Sequence, residues 1–250
     1  MNLIQSTNTP ISTIEMTKNK PLFQKAKIQY LAAIVLFIGV LAMTVVLSNA
    51  NSLYFQRFIG YINPIIVILL SGIVGLLLLS FLLSKKWFVI FKTHYLKGAL
   101  RHSWLVVVFV SVAILVDLKI VFPIDMIIPF PQSLLFYPII AFFIEMIFHV
   151  LPLSLPLLSL TFFFRHIGYK RLRLISIVLV AILEPTYQAI FMISSPTWSI
   201  VGIWVNLFVF NMTQLFIFMK YDFISMFAFR LKYYLIWHII WGHIRLDVLF

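Results

Sequence analysis

The 250-residue chain contains no cysteine. Disulfides, thiolate zinc sites and cysteine nucleophiles are therefore excluded. Charge is scarce as well: 10% of residues are charged, against about 25% in globular chains. Acids are rarer still, with seven Asp and Glu against nineteen Lys and Arg. So few charges cannot clothe a soluble surface of this size. What the chain has instead is apolar residues, 63% of the total, and a mean hydropathy of +1.08. The net charge of +12 does not point to nucleic acid. The basic residues lie between apolar blocks rather than on one soluble face.

Length is best counted in membrane spans of about 20 residues. Residues 1–27 are polar and read as a short disordered or surface tail; residues 28–250 read as one transmembrane helical domain. Lys18, Lys20, Lys25 and Lys27 precede an apolar block from Leu31 to Leu47. That block is long enough for a first span, which favours a span over a cleaved signal peptide. Further spans fall at 61–84, 104–123, 134–164, 174–194, 198–218 and 223–243. The fourth contains Pro138, Pro152 and Pro156, which kink or break a helix and free carbonyls that neighbours must satisfy. Between spans two and three, basic residues alternate with aromatic ones in "KKWFVIFKTHYLKGALRHSW". This pattern suits a short amphipathic helix at the lipid surface.

Seven spans place the termini on opposite sides. With a cytoplasmic N-terminus, the inner segments carry fourteen basic residues. They are the four lysines of the tail, Lys85, Lys86, Lys92, Lys97, Arg101, Arg165, Lys170, Arg171, Arg173 and Lys220. The outer segments carry three: Arg57, Lys119 and Arg245. The positive-inside rule then sets the N-terminus in the cytoplasm. The expected location is the plasma membrane of a prokaryote.

Five of the seven acids, Glu15, Asp117, Asp125, Asp222 and Asp247, fall in tails, loops or span ends. Glu145 and Glu184 fall near the middle of spans four and five. His149 and His238 are similarly deep, as is Arg230. Lys232 is shallower and suits snorkelling. Each charge at the bilayer centre costs ~2.5–3.5 kcal/mol on insertion scales, so these groups should meet. Glu145 and His149 are four apart and share a helix face. Arg230, Tyr234 and His238 share another, spread over about 12 Å along the axis. Pro185 follows Glu184 and would free a carbonyl towards the same place. One polar cavity among spans four, five and seven is the expectation.

Two carboxylates and two imidazoles can activate water. Arginine and a phenol can donate to a developing oxyanion. This is a hydrolase inventory without serine or cysteine. The same His and Glu side chains can also hold a divalent metal or relay ions in a transporter. A purely structural ion cluster is the bland alternative, although buried pairs rarely stabilise more than apolar packing does.

Three stretches carry more. In "FFIEMIFHVLP", Glu145 follows Ile144 and precedes His149 by four. In "VAILE", Val180 precedes Glu184 by four; in "YDFISMFAFRLKYY", Arg230 precedes Tyr234 by four. Over roughly 134–245 this frame resembles the CAAX-protease and bacteriocin-processing family of intramembrane proteases. That family's motifs are E-E-x-x-x-R, F-x-x-x-H and H-x-x-x-N. Glu145 matches the second glutamate, and Ile144 stands at the first. His149 stands at the arginine, Val180 at the phenylalanine and Glu184 at the first histidine. Arg230 and Tyr234 stand at the last histidine and the asparagine.

The resemblance implies a CAAX-protease-like core in an all-α, polytopic bundle of about seven transmembrane helices. It implies peptide-bond hydrolysis in a membrane-associated peptide or protein substrate. Glu145 would be the base, with His149 and Glu184 as partners in water activation. Arg230, Tyr234 and His238 would stabilise or orient. The alternatives are an inactive relative acting in binding, maturation or immunity, and an ion-coupled transporter. Membrane lipids are expected partners and nucleic acid is not. No cofactor beyond a divalent metal enters any of these readings.

Overall fold

Backbone in lipid must satisfy its own hydrogen bonds, and long apolar runs do so as helices. The computed structural model describes residues 11–92, 95, 100–164, 166 and 168–250, with side chains from Lys27 onward. Among the described residues there is helix and irregular chain, and no strand. Helix α1 is Ile11–Asn51 and α2 is Pro64–Ser84. Helix α3 is Trp104–Ile120 and α4 is Ser133–Phe163. Then follow α5 (Tyr169–Phe191), α6 (Thr197–Lys220) and α7 (Phe223–Leu249). Six of these are long and apolar enough to cross a membrane. At 17 residues, α3 sits at the lower limit of about 17–25 for a span. The protein is thus an all-α polytopic bundle and an integral membrane protein.

Two features of the termini and loops differ from the sequence reading. Residues 11–27, read as part of a polar tail, continue α1; residues 1–10 and the side chains of Lys18, Lys20 and Lys25 lie outside the described residues. The basic segment after α2 forms no helix over Lys85–Lys92; His94, Lys97 and, further on, Arg165 lie outside the described residues. It runs irregularly, with Phe88 and Ile90 buried. The cause is the start of α7, whose first N–H groups have no partner within the helix. Phe223 N–H donates to Val89 O (3.0 Å) and Ile224 N–H to Ile90 O (3.2 Å). Asp222 caps the same turn, accepting from Ser225 N–H (2.7 Å) and Lys92 N–H (2.8 Å). A lipid-surface helix would forfeit these bonds.

Helix α4 is central and packs against α1, α2, α5 and α7. Ser71 and Gly75, four apart on α2, form the small surface that lets membrane helices approach closely. A Cβ on Gly75 would overlap the Met146 side chain of α4. That close approach seats the turn carrying Glu145 and His149.

Candidate functional site

The middle of α4 departs from α-helical winding. Glu145–Val150 is a π-turn, and Leu151 N–H reaches back to Met146 O. Pro152 supplies the physical reason. It lacks an N–H, and its ring would crowd the carbonyl four residues earlier, inside this turn. Such π-turns are frequent at functional sites. Helix α7 has a second one, Leu235–Trp241, directly after Tyr234. Helix α5 breaks at Ile182, two residues before Glu184. The Ile182 carbonyl accepts from the Thr186 N–H (3.1 Å) and hydroxyl (2.8 Å). These bonds continue the helix past Pro185, whose missing N–H is the one the Ala181 carbonyl would have accepted.

Arg230 organises what lies between. It is 1% exposed. Its Nε donates to Glu145 Oε1 at 2.6 Å. Nη1 and Nη2 donate to the two oxygens of Glu184 at 2.9 and 2.7 Å. Nη2 also reaches Gln214 Oε1 at 2.9 Å and Asn211 Oδ1 at 3.4 Å. Nη1 lies 3.4 Å from the Tyr234 hydroxyl. Gln214 Nε2 donates to Glu145 Oε1 at 2.6 Å, and Gln188 Nε2 to Glu184 Oε1 at 3.2 Å. The guanidinium also packs over the Phe210 ring, 5.5 Å from its centroid.

His149 lies on the other side of the carboxylates and is fully buried. Its Nδ1 is 3.0 Å from Glu145 Oε2, and its Nε2 is 3.9 Å from Glu184 Oε2. Neither ring nitrogen makes a well-aligned hydrogen bond, and Glu145 Oε2 and Asn211 Nδ2 are likewise unsatisfied. Four such atoms in one buried cluster are unusual, since buried polar groups are nearly always paired.

Glu145, His149, Glu184, Arg230 and Tyr234 therefore converge. His238 does not join them. It lies two turns further along α7, where its ring stacks on Tyr137 (4.5 Å between centroids) and stands perpendicular to Tyr234 (5.0 Å). Spacing gave His238 the same stripe, but axial distance separates it from Arg230. Lys232 hydrogen-bonds the Ser103 hydroxyl and stays outside the cluster.

A fourth helix contributes what sequence reasoning missed. Asn211 and Gln214, three apart on α6, are fully buried. A census of ionisable groups passes over amides, although an amide deep in a span calls for a partner just as a charge does. Asp117 lies at a span end, as read, in the last turn of α3, yet it is fully buried, 2.7 Å from Arg245 Nη2. Among the described residues no set of His, Asp or Glu side chains is grouped to hold a metal ion. Arg230 occupies the place between the two carboxylates where a cation would bind.

No protein-family profile, curated protein or solved structure matches the chain.

Proposed function

We propose that this membrane protein is an intramembrane peptidase of the CAAX-protease-like type. The observation that carries this reading is His149, buried between two carboxylates with its Nε2 unbonded. Nε2 and Glu184 Oε2, 3.9 Å apart, are too distant to bond directly. They are close enough for one water to approach both at about 2.8 Å. Support comes also from the motif frame: its five polar positions, scattered over three helices, meet at one point.

In this proposal the work is divided differently from a simple Glu145 base. Arg230 and Gln214 fix Glu145 through Oε1, leaving Oε2 to orient His149. His149 Nε2 takes a proton from water as the oxygen adds to the scissile carbonyl carbon. The five N–H groups of Arg230 are taken by Glu145, Glu184, Gln214 and Tyr234, so the Tyr234 hydroxyl is assigned to donate to the resulting oxyanion, with Arg230 orienting it. His149 then returns the proton to the leaving amine as the C–N bond breaks. Glu145 and Glu184 stabilise the imidazolium in between, as a carboxylate does in other imidazole-based hydrolases. No step requires a metal. The substrate is a membrane-associated peptide or protein, met in the plasma membrane of a prokaryote with the N-terminus cytoplasmic.

One observation favours a second reading. Arg230 grips Glu184 with both arms and Glu145 with its Nε, as a structural lock would. A non-catalytic relative that binds a membrane partner would need no more than this. The test is cleavage of a membrane-anchored peptide pool by purified protein in nanodiscs. A peptidase loses about 10²–10⁴-fold in rate on His149→Ala while its melting curve persists. A binding relative shows no cleavage in the wild type and retains its partner in the variant.

A further inference from the structure

Basic residues gather where α2 stops and α5 starts. Lys85, Lys86, Lys170, Arg171 and Arg173 lie there in two short stretches. Among the described residues none of the five makes an ion pair. Asp222, at the start of α7 beside the first stretch, is fully buried and spent on the N–H groups of Ser225 and Lys92. Rings join the two stretches. Trp87 stacks on Tyr169, 5.8 Å between centroids, and stands edge-on to Phe81 at 5.6 Å. Lys85 Nζ sits over the Phe81 ring at 5.9 Å, and the Arg173 guanidinium over the Tyr169 ring at 5.5 Å. Cations and aromatic rings thus alternate across one patch.

These cations do not serve the fold. Lys86 has φ 57°, the left-handed conformation that closes a helix C-terminus and that glycine or asparagine adopts most readily. The N–H groups of Lys86 and Trp87 complete that cap on Leu83 O (2.9 Å) and Leu82 O (3.0 Å). The turn would be better served by a residue other than lysine. Lys170, Arg171 and Arg173 fall within the first five residues of α5, which has no acid in its first turn. There the helix presents bare N–H groups and the positive end of its dipole, so basic side chains have the wrong sign. The Arg173 Nε–H and the Tyr169 hydroxyl, both without exposed surface, make no well-aligned hydrogen bond. One anion among these groups would answer the repulsion and the unpaired donors together.

We propose that this patch binds the phosphate headgroup of an anionic phospholipid. What flanks it favours a lipid over a free phosphate. Phe163 and Phe164, at the end of α4, and Leu174 on α5 are exposed apolar side chains. Acyl chains lie against them while Lys86, Lys170 and Arg173 reach the headgroup, their apolar stems running along the surface. Trp87 and Tyr169 are the amphipathic rings that settle at headgroup level. Basic clusters beside span ends attract anionic headgroups. The patch shares no residue with the Glu145–His149–Glu184 cluster, so the proposal stands apart from the hydrolase reading.

Brominated acyl chains quench tryptophan fluorescence on contact, and Trp87 lies inside the patch. The full-length protein is reconstituted in phosphatidylcholine vesicles carrying either brominated phosphatidylglycerol or brominated phosphatidylcholine. Each protein is measured with and without Trp87→Phe, and the difference isolates Trp87 among the six tryptophans. At equal mole fraction, the brominated phosphatidylglycerol should quench Trp87 more strongly. Lys86→Asn suits its backbone conformation and Lys170→Gln changes an exposed side chain, so this pair keeps the fold. It should weaken the phosphatidylglycerol preference by roughly fivefold per charge removed, as should Arg173→Gln. Lys92→Gln with Lys220→Gln takes two charges from the same end of the bundle and should leave Trp87 quenching at the wild-type level. Equal quenching by the two lipids would overturn the proposal. So would an equal loss in the Lys92, Lys220 pair, since a diffuse surface potential would then account for the preference. Relief of the quenching by glycerol phosphate at constant ionic strength would assign the patch to a free phosphate ester and overturn the lipid.

Discussion

Arg230 holds Glu184 by a two-armed grip, Nη1 to Oε1 at 2.9 Å and Nη2 to Oε2 at 2.7 Å. This planar fork is a geometry that lysine cannot reproduce. With its Nε on Glu145, the same side chain joins helices α4, α5 and α7 at the centre of the bundle.

The first prediction concerns that junction. Arg230→Met leaves two buried carboxylates without a counter-charge and should destabilise by about 3–5 kcal/mol. Arg230→Lys should recover little of this. The combination Arg230→Met, Glu145→Gln, Glu184→Gln removes all three charges and should restore much of the lost stability. Thermal unfolding in one detergent, followed for all three variants, checks the order.

Gln214 is the second test. Gln214→Leu leaves Glu145 Oε1 and Arg230 Nη2 each short of a partner, at a cost of about 1–3 kcal/mol. Asn211→Leu, whose contact with Arg230 is long at 3.4 Å, should cost less. An equal effect from both would show that the amide geometry of α6 does not matter.

The third prediction is structural. Gly75→Ala should push Met146 and lower stability, and Met146→Ala should relieve it. A double-mutant cycle should show favourable coupling of about 0.5–3 kcal/mol. Additive losses would mean that α2 and α4 are not in close contact there.

Asp117 supplies the fourth. It anchors Phe122, Trp241 and Arg245 at once, so Asp117→Ala strands a buried arginine and should cost about 3–5 kcal/mol. This loss should add to that of Gln214→Leu, since the two clusters share no partner.

These predictions also mark what was legible in the sequence. The spans could be read because apolar runs of about 20 residues have one stable form in lipid. The meeting of Glu145, His149, Glu184, Arg230 and Tyr234 could be read because charges deep in a bilayer must find one another. Asn211 and Gln214 escaped because uncharged amides stand out less in a hydropathy profile. Asp117 and Asp222 escaped because span ends read as wet. Each is instead buried by a partner distant in sequence, Arg245 for one and Lys92 N–H for the other. His238 shared the stripe but not the depth. The irregular path of Lys85–Lys92, the described first part of the basic segment, has the same origin, since it is set by unpaired N–H groups at the start of α7.

The most direct measurement follows the oxygen atom. Wild-type protein in nanodiscs is given a membrane-anchored peptide in heavy-oxygen water, beside His149→Ala and Tyr234→Phe. The account predicts one heavy oxygen in the new C-terminal carboxylate, lost with His149→Ala and diminished with Tyr234→Phe. Cleavage that proceeds undiminished in His149→Ala, or no cleavage of any anchored peptide by the folded wild type, would contradict it.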